Sequence, residues 1–400
     1  MTRSRRAYLM IAVAMSFTLA ATACSSGGGS SSGAGASSEA PGVTSDSITI
    51  GISLPLSGPA GPVCSPVGAA AHAWFAHVNS QGGINGRKIE ENVLDDQYTA
   101  PRALANAKEF ISKPVFAIFG GCGSPQPPAI QTVAKPAKVP YLFPGGSLPE
   151  LSGDSNVFLA LPSYDKQMGA LTGYAEKKFG AGSVYVVSQQ IPGIDSTTAS
   201  ITKAATDAGQ TVLGSDVFTV GQADLGPTIL KIKQAHPDYL AMNVSTDAAR
   251  LIAGLIAQNA LPSRKILGWS SILTAGAQAA SKALPTDMLI AASATAAPDS
   301  PEMKTCADVM NAGTPNSTID SNANYACAAA QAFTHALEGA GKNLTRDSFE
   351  KELLSWKNVT ASPALPPLTY TNDDRSGATG AFAVVVSSGV VRVLDKLVFS

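Results

Sequence analysis

The chain has 400 residues, with 28 lysines and arginines against 29 aspartates and glutamates, a net charge of −1 and only 14% charged residues. No basic run breaks that balance, which excludes a nucleic-acid-binding surface. The length exceeds what one hydrophobic core usually serves, so two domains are expected.

Residues 1–23 open with Arg3, Arg5 and Arg6 and continue as an apolar stretch interrupted by Ser16, Thr18 and Thr22. A membrane-spanning helix needs about 20 predominantly apolar residues, so this segment reads as a cleaved export signal. Ala21-Thr22-Ala23-Cys24 resembles the lipobox of bacterial lipoproteins, which implies a lipid on the Cys24 thiol. Ser4-Arg5-Arg6-Ala7-Tyr8-Leu9-Met10 also resembles a twin-arginine signal, with Tyr8 and Met10 in place of the commoner Phe and Lys, so Sec and Tat export both stay open. Residues 24–45 are mostly Ser, Gly and Ala, too poor in apolar surface to offset chain entropy, and are expected to form a flexible tether, with folded chain beginning near Asp46. No later segment is long and apolar enough to cross a bilayer. The expected location is the outer face of the cell membrane, through an N-terminal lipid anchor.

Residues 48–56 have strand composition and end at Gly58, Pro59, Gly61 and Pro62. Val67, Ala70, Ala71, Trp74, Phe75 and Val78 then recur at helical spacing up to Gly82-Gly83. A second strand is predicted over 87–94. Thr99 is a good N-cap for a helix with Pro101 in its first turn. A short strand at 115–119, a loop at 120–123, a helix from Pro125 and a strand at 140–143 follow. The pattern then restarts with strands at 183–187, 211–217, 239–243 and 265–269, and helices near 196–208, 224–235, 248–259 and 275–283. Strand alternating with helix at this pace predicts an α/β fold with parallel sheets covered on both faces, twice over. Ligands of such sheets sit beyond the carboxyl ends of the strands, so the loops there would face each other across a cleft.

Four cysteines remain after Cys24, in an oxidising compartment where pairing is expected. They allow three connectivities. Cys306 and Cys327 read as joining two neighbouring helices, and Cys64 and Cys122 as residues of Gly-rich loops after strands, which favours those two pairs. His72, His77, His236 and His335 are scattered without metal-ligand spacing, so neither a metal nor another cofactor is expected.

Ile50-Gly51-Ile52-Ser53-Leu54-Pro55-Leu56-Ser57-Gly58-Pro59, then Asn79-Ser80-Gln81-Gly82-Gly83-Ile84-Asn85-Gly86-Arg87, then Asp95-Asp96, resembles the opening of periplasmic binding proteins of the branched-chain amino-acid type. The likeness continues in order through Ile118-Phe119-Gly120-Gly121, Pro144-Gly145-Gly146-Ser147, Pro237-Asp238-Tyr239 and Pro367-Leu368-Thr369-Tyr370. It implies a non-catalytic substrate-binding component of an ABC importer: two Rossmann-like lobes closing on a small-molecule ligand, a permease as partner, and a monomer in solution. Three hinge crossings, near Pro162, Ala292 and Phe382, would divide the chain into 46–162 plus 293–382 and 163–292 plus 383–400.

Ser124 with Pro125 opens a helix, whose N-terminal end favours an acceptor or anion. The resemblance implies that Ser124, Gly145, Gly146 and Ser147 hold a ligand carboxylate. Their plainer roles would be capping or turn chemistry for the serines and positive φ for the glycines. The second lobe departs from the family. Gly268-Trp269-Ser270-Ser271 stands where an amino-acid binder has an acid for the ammonium group, Gln190-Ile191-Pro192-Gly193 replaces one expected tyrosine, and Ser245 replaces another. A buried ammonium without its charged partner loses several kcal/mol, so a standard α-amino acid is not the expected ligand. An amine-free carboxylate, a short amide or urea-like solute, and an aromatic or apolar acid fit instead. Trp269 either stacks on such a ligand or packs in the core, Tyr164 either lines the cleft or packs at the hinge, and Asp95-Asp96 is expected in a solvated loop. Two other classes compete. An exported hydrolase would need a nucleophile elbow, and no strand-to-helix turn carries one. A sensory module would use the same fold with a receptor in place of a permease.

Overall fold

A computed structural model describes residues 40–399 apart from Pro59, Ser147, Leu148, Asn316 and Thr318. The export signal, Cys24, most of the tether and Ser147 lie outside the described residues.

The first sheet takes β1 (Ser47–Leu54), β2 (Lys88–Asp95), β3 (Ala117–Phe119), β4 (Tyr141–Leu142) and β5 (Val157–Phe158) in the order β2-β1-β3-β4-β5, all parallel. Between them run α1 (Gly61–Ser80), α2 (Ala100–Ser112) and α3 (Gln126–Ala134). Every residue of β1 except Thr49 is buried, as a central parallel strand with helices on both faces requires.

The chain then leaves for a second sheet. It is made of α4 (Tyr164–Phe179), β6 (Ser183–Gln189), α5 (Ile194–Asp207), β7 (Thr211–Phe218), α6 (Gly226–Ala235), β8 (Tyr239–Asn243), α7 (Ala248–Ala257), β9 (Lys265–Gly268), α8 (Ala275–Ala280) and β10 (Leu289–Ser293). After β10 the chain returns to pack α9 (Lys304–Gly313), α10 (Ser321–Gly339) and α11 (Arg346–Ser355) on the first lobe, followed by the ribbon β11 (Leu368–Thr369) and β12 (Gly377–Ala378). It crosses a third time into β13 (Gly380–Ser387), which pairs antiparallel with β10, and β14 (Val390–Val398), which pairs antiparallel with β13. The second sheet reads β14-β13-β10-β9-β8-β6-β7.

What binds the returning segment to the first lobe is a set of aromatic contacts. Phe75 of α1 meets Phe119 of β3 at 5.2 Å and Phe333 of α10 at 6.1 Å, both edge-on, and Phe333 meets Phe349 of α11 at 5.8 Å. Edge-on pairs of this kind add about 0.5–1.5 kcal/mol each beyond their burial. They fix α10 beside α1, which matters for the cavity below.

Three expectations change. Residues 40–45 already belong to the folded part: Ala40 and Val43 are buried, Thr49 N–H donates to Gly42 O at 2.7 Å, and Val43 bridges Ile48. Residues 40–45, expected as tether, are docked against a strand edge through two apolar residues. The third crossing precedes Gly380, since Phe382 is already paired with Ser293 inside the second sheet. Finally, α1 starts at Gly61 with Pro62 in its first turn, so Cys64 is helical and not in a loop.

The two disulfides are Cys64–Cys122 and Cys306–Cys327, as favoured above. The second links α9 to α10 across 21 residues. Loop closure of that length constrains the unfolded chain by about 3 kcal/mol. The double variant Cys306→Ala/Cys327→Ala is expected to lose about that much stability in urea unfolding, while wild-type protein with both bonds intact sets the reference.

Candidate functional site

Between the two sheets, at the carboxyl ends of their strands, lies a narrow cavity with room for water-sized probes amounting to about 70 Å³. The first lobe supplies the turn at Tyr98, the loop 121–124, Phe143, Gly145 and the facing sides of α1 and α10. The second supplies Tyr164, Ile191, Ser245, Thr246, Trp269, Ser270, Ser271, Ser293 and Ala294. No Asp, Glu, Lys, Arg or His is among the described residues that line it.

The loop after β3 is held from two sides. The Cys64–Cys122 bond ties it to the first turn of α1 and forms part of the cavity wall. On the other side, a Cβ on Gly145 would lie 2.2 Å from Gly121 O, and one on Gly146 2.4 Å from Gly123 O. These glycines are thus required for close backbone approach rather than for positive φ, which they do not adopt. Ser124 is 3% exposed and lines the cavity. The N-cap position of α3 belongs to Pro125, and no side chain caps this helix. Pro125, Pro127 and Pro128 carry no N–H, so this helix start presents fewer amide donors than the sequence reading assumed. Side chains must supply the rest.

They come from the second lobe. Trp269 is 1% exposed and lies against Tyr164 with ring centroids 4.2 Å apart, so the ring proposed for stacking on a ligand already has one aromatic neighbour. The Tyr164 hydroxyl is 3.2 Å from Ser271 Oγ. Trp269 Nε1 and Ser270 Oγ are buried without a hydrogen-bond partner among the described residues. Ser270 itself is positioned by Gln167, which accepts its backbone N–H at 2.8 Å and donates to Pro162 O at 2.6 Å, linking the site to the first hinge crossing. Gln189 does the same for the Ser245 turn, accepting Ser245 N–H at 2.8 Å and donating to Thr246 Oγ1 at 2.8 Å.

Two aspartates sit behind the wall. Asp96, expected in a solvated loop, is fully buried; the strand-end alternation that leaves Asp95 partly exposed turns its neighbour inward. Asp96 accepts from Ser53 Oγ, Tyr98 N–H and Gln126 Nε2, joining β1, the Tyr98 turn and the start of α3. Burial pushes its carboxyl above the usual range, against the pull of those hydrogen bonds. Asp320 caps α10, accepting the N–H groups of Asn322 and Ala323 with one oxygen, and with the other accepts Ala275 N–H of α8 at 3.1 Å, a hydrogen bond between the lobes. Burial raises its carboxyl too. In both aspartates each oxygen already accepts from the protein, and neither residue lines the cavity, so neither stands ready to receive an ammonium group.

The structure therefore brings Ser124, Gly145, Tyr164, Ser245, Trp269 and Ser270 to one cavity and places Gly146 just behind it. Sequence reasoning missed Tyr98, which follows a strand end and was findable by the same rule as the others. It also missed Tyr325, Ala326 and Ala329 of α10 and Val63 and Val67 of α1, whose helices carry no local signal of a ligand. No cluster of three or more metal-ligating side chains occurs among the described residues.

The sequence profile of the family described as periplasmic binding protein matches residues 47–390. The chain belongs to that family. A curated relative, the Leu/Ile/Val-binding protein homolog 1 of Brucella abortus (strain 2308), is 25% identical over 301 residues, 74% of this chain and 79% of that protein. Among solved structures, a fatty acid ABC transporter substrate-binding protein from Thermomonospora curvata superposes with a TM-score of 0.81 at 23% identity, covering 90% of this chain and 95% of the other. A solute binding protein of an ABC transporter from R. palustris, in complex with benzoate, gives 0.76 at 18% identity, over 88% and 97%. The two-lobed α/β fold is thus that of type I periplasmic binding proteins, and the family's members in hand are binding proteins.

Asp320 is the side chain on which both lobes converge. Asp320→Ala is expected to lose about 1 kcal/mol of stability through the missing cap, read by urea unfolding. Without the bond to Ala275 the lobes should also part more readily, read as a larger radius of gyration by solution scattering.

Proposed function

We propose that the protein captures an amine-free small molecule in the cavity between its lobes and delivers it to the permease of an ABC importer, held at the membrane by a lipid on Cys24. The observation that carries the ligand reading is the lining of the cavity: hydroxyls, an indole N–H and apolar side chains from both lobes, with no charged side chain among those described. A zwitterionic α-amino acid enclosed there would leave its ammonium without a counter-charge, at a loss of several kcal/mol. The unpartnered Trp269 Nε1 can only donate, so the polar part of the ligand is an acceptor. Ser124, Gly145, Ser270 and Trp269 are assigned to that acceptor, and Tyr164, Ser245 and Gly146 to shaping the wall. Ser147 is assigned to the ligand by the family resemblance alone. Two structural neighbours support this range, a fatty acid transporter component and a benzoate complex, whereas the Brucella relative is a Leu/Ile/Val-binding protein homolog.

A thermal-shift screen of the purified protein against amino acids, carboxylic acids, amides and aromatic acids tests the reading. A ligand at 100 times its dissociation constant adds about 2.7 kcal/mol of stability. The expected result is a shift with one or more amine-free compounds and none with leucine, isoleucine or valine; a clear shift with leucine would refute it.

A further inference from the structure

The turn that follows β2 holds its residues in a conformation they rarely adopt. Gln97 and Tyr98 have φ of 51° and 61°, both in the left-handed region, which is costly for a side chain as bulky as tyrosine. Two adjacent carboxylates keep them there, each accepting the N–H two residues on: Asp95 Oδ1 takes Gln97 N–H at 2.9 Å, and Asp96 Oδ1 takes Tyr98 N–H at 2.9 Å. Both acids are themselves anchored in the first lobe, Asp95 by the Ser57 hydroxyl and Leu56 N–H, and Asp96 by Ser53 and Gln126. The outcome is the placement of one ring. Tyr98 lines the cavity and lies on Gly123, where a Cβ would come within 2.4 Å of Tyr98 Cε2. Gly123 leaves room for the ring, and the turn delivers it.

Resting on the reading that this cavity holds the ligand, we infer that Tyr98 is a specificity-determining residue, whose ring is the part of the first-lobe wall that sets the largest ligand the cleft can enclose. The cavity is narrow, so the presence or absence of one aromatic ring in its lining decides what else fits. Other large lining side chains are committed to packing: Phe143 lies edge-on to Phe119, and Trp269 lies against Tyr164. Tyr98 instead stands half-buried on the turn between β2 and α2, outside both sheets. Burial, with Tyr164 and Asp96 nearby, pushes its hydroxyl above the ordinary tyrosine range and keeps it protonated. Tyr98 and Tyr164 thus bound the ligand space from opposite lobes, close enough to act on one another.

The test compares 4-methylpentanoate with the bulkier 5-phenylpentanoate by calorimetric titration. Wild-type protein is expected to bind the smaller acid about tenfold or more tighter, as overfilling a closed site requires. Tyr98→Gly removes the ring and keeps the turn, since glycine takes a positive φ without strain, and should lower that ratio about tenfold or more. Tyr98→Phe keeps the ring and should keep the wild-type ratio. If Tyr98→Gly does not fold, as checked by its melting temperature, Tyr98→Asn removes the ring with another residue that tolerates the left-handed region. Wild-type protein binding both acids alike, or a ratio that a folded ring-less variant leaves unchanged, would overturn the size-setting role while leaving the cleft as the ligand site. If neither acid binds wild-type protein and leucine does, the proposed function itself fails, and the same ratio taken with leucine and phenylalanine then decides the role of Tyr98.

Discussion

A charge can be held in a dry interior only if an opposite charge or a full set of hydrogen bonds meets it there, and that constraint governs what this cleft can accept. Its described walls offer donors and hydrocarbon but no ionised side chain. The aspartates nearest the site are turned away and saturated: Asp96 spends its oxygens on Ser53, Tyr98 and Gln126, and Asp320 on α10 and α8. On the reading proposed above, the cleft supplies for a carboxylate and not for an ammonium group. On that reading, a few second-lobe residues set the ligand class.

The supports beneath the cavity lining are independent of ligand chemistry. Gly145 and Gly146 nest against Gly121 and Gly123 backbone on backbone, and a disulfide pins the same loop from the α1 side. In the second lobe, Gln167 and Gln189 hold the Ser270 and Ser245 turns by their backbone N–H groups; Ser245 Oγ also donates to Gln189, while Ser270 Oγ has no partner among the described residues. Preorganisation of this kind lowers the entropy lost on binding. The Asp320 bond to Ala275 joins two helix starts from different lobes through one carboxylate.

Much of this was legible in the sequence, and the limits follow from physical scale. Strand and helix alternation gave both sheets, because each element buries a continuous apolar face that leaves its period in the chain. The strand-end loops pointed to Ser124, Gly145, Ser245, Trp269 and Ser270, and the missing acid at Ser270 was visible as a plain substitution. The inward turn of Asp96 was not, since two adjacent aspartates look identical until the register of β2 against β1 decides which of them faces the core. Nor was the α1–α10 wall. Ala326 and Ala329 read as ordinary helix formers, and only the aromatic packing of Phe75, Phe119 and Phe333 brings that face to the cavity. The crossing before Gly380 was missed for the same reason, being set by a pairing partner distant in sequence.

The central claim, that the cleft accepts a carboxylate and rejects an ammonium group, is tested most directly by comparing leucine with 4-methylpentanoate, which differs only in lacking the amine. Calorimetric titration of the purified protein with each, in one buffer, is expected to give binding of 4-methylpentanoate more than a hundredfold tighter than that of leucine, as an unmatched buried charge costing several kcal/mol requires. Leucine binding as tightly as its amine-free counterpart, or more so, would contradict the account.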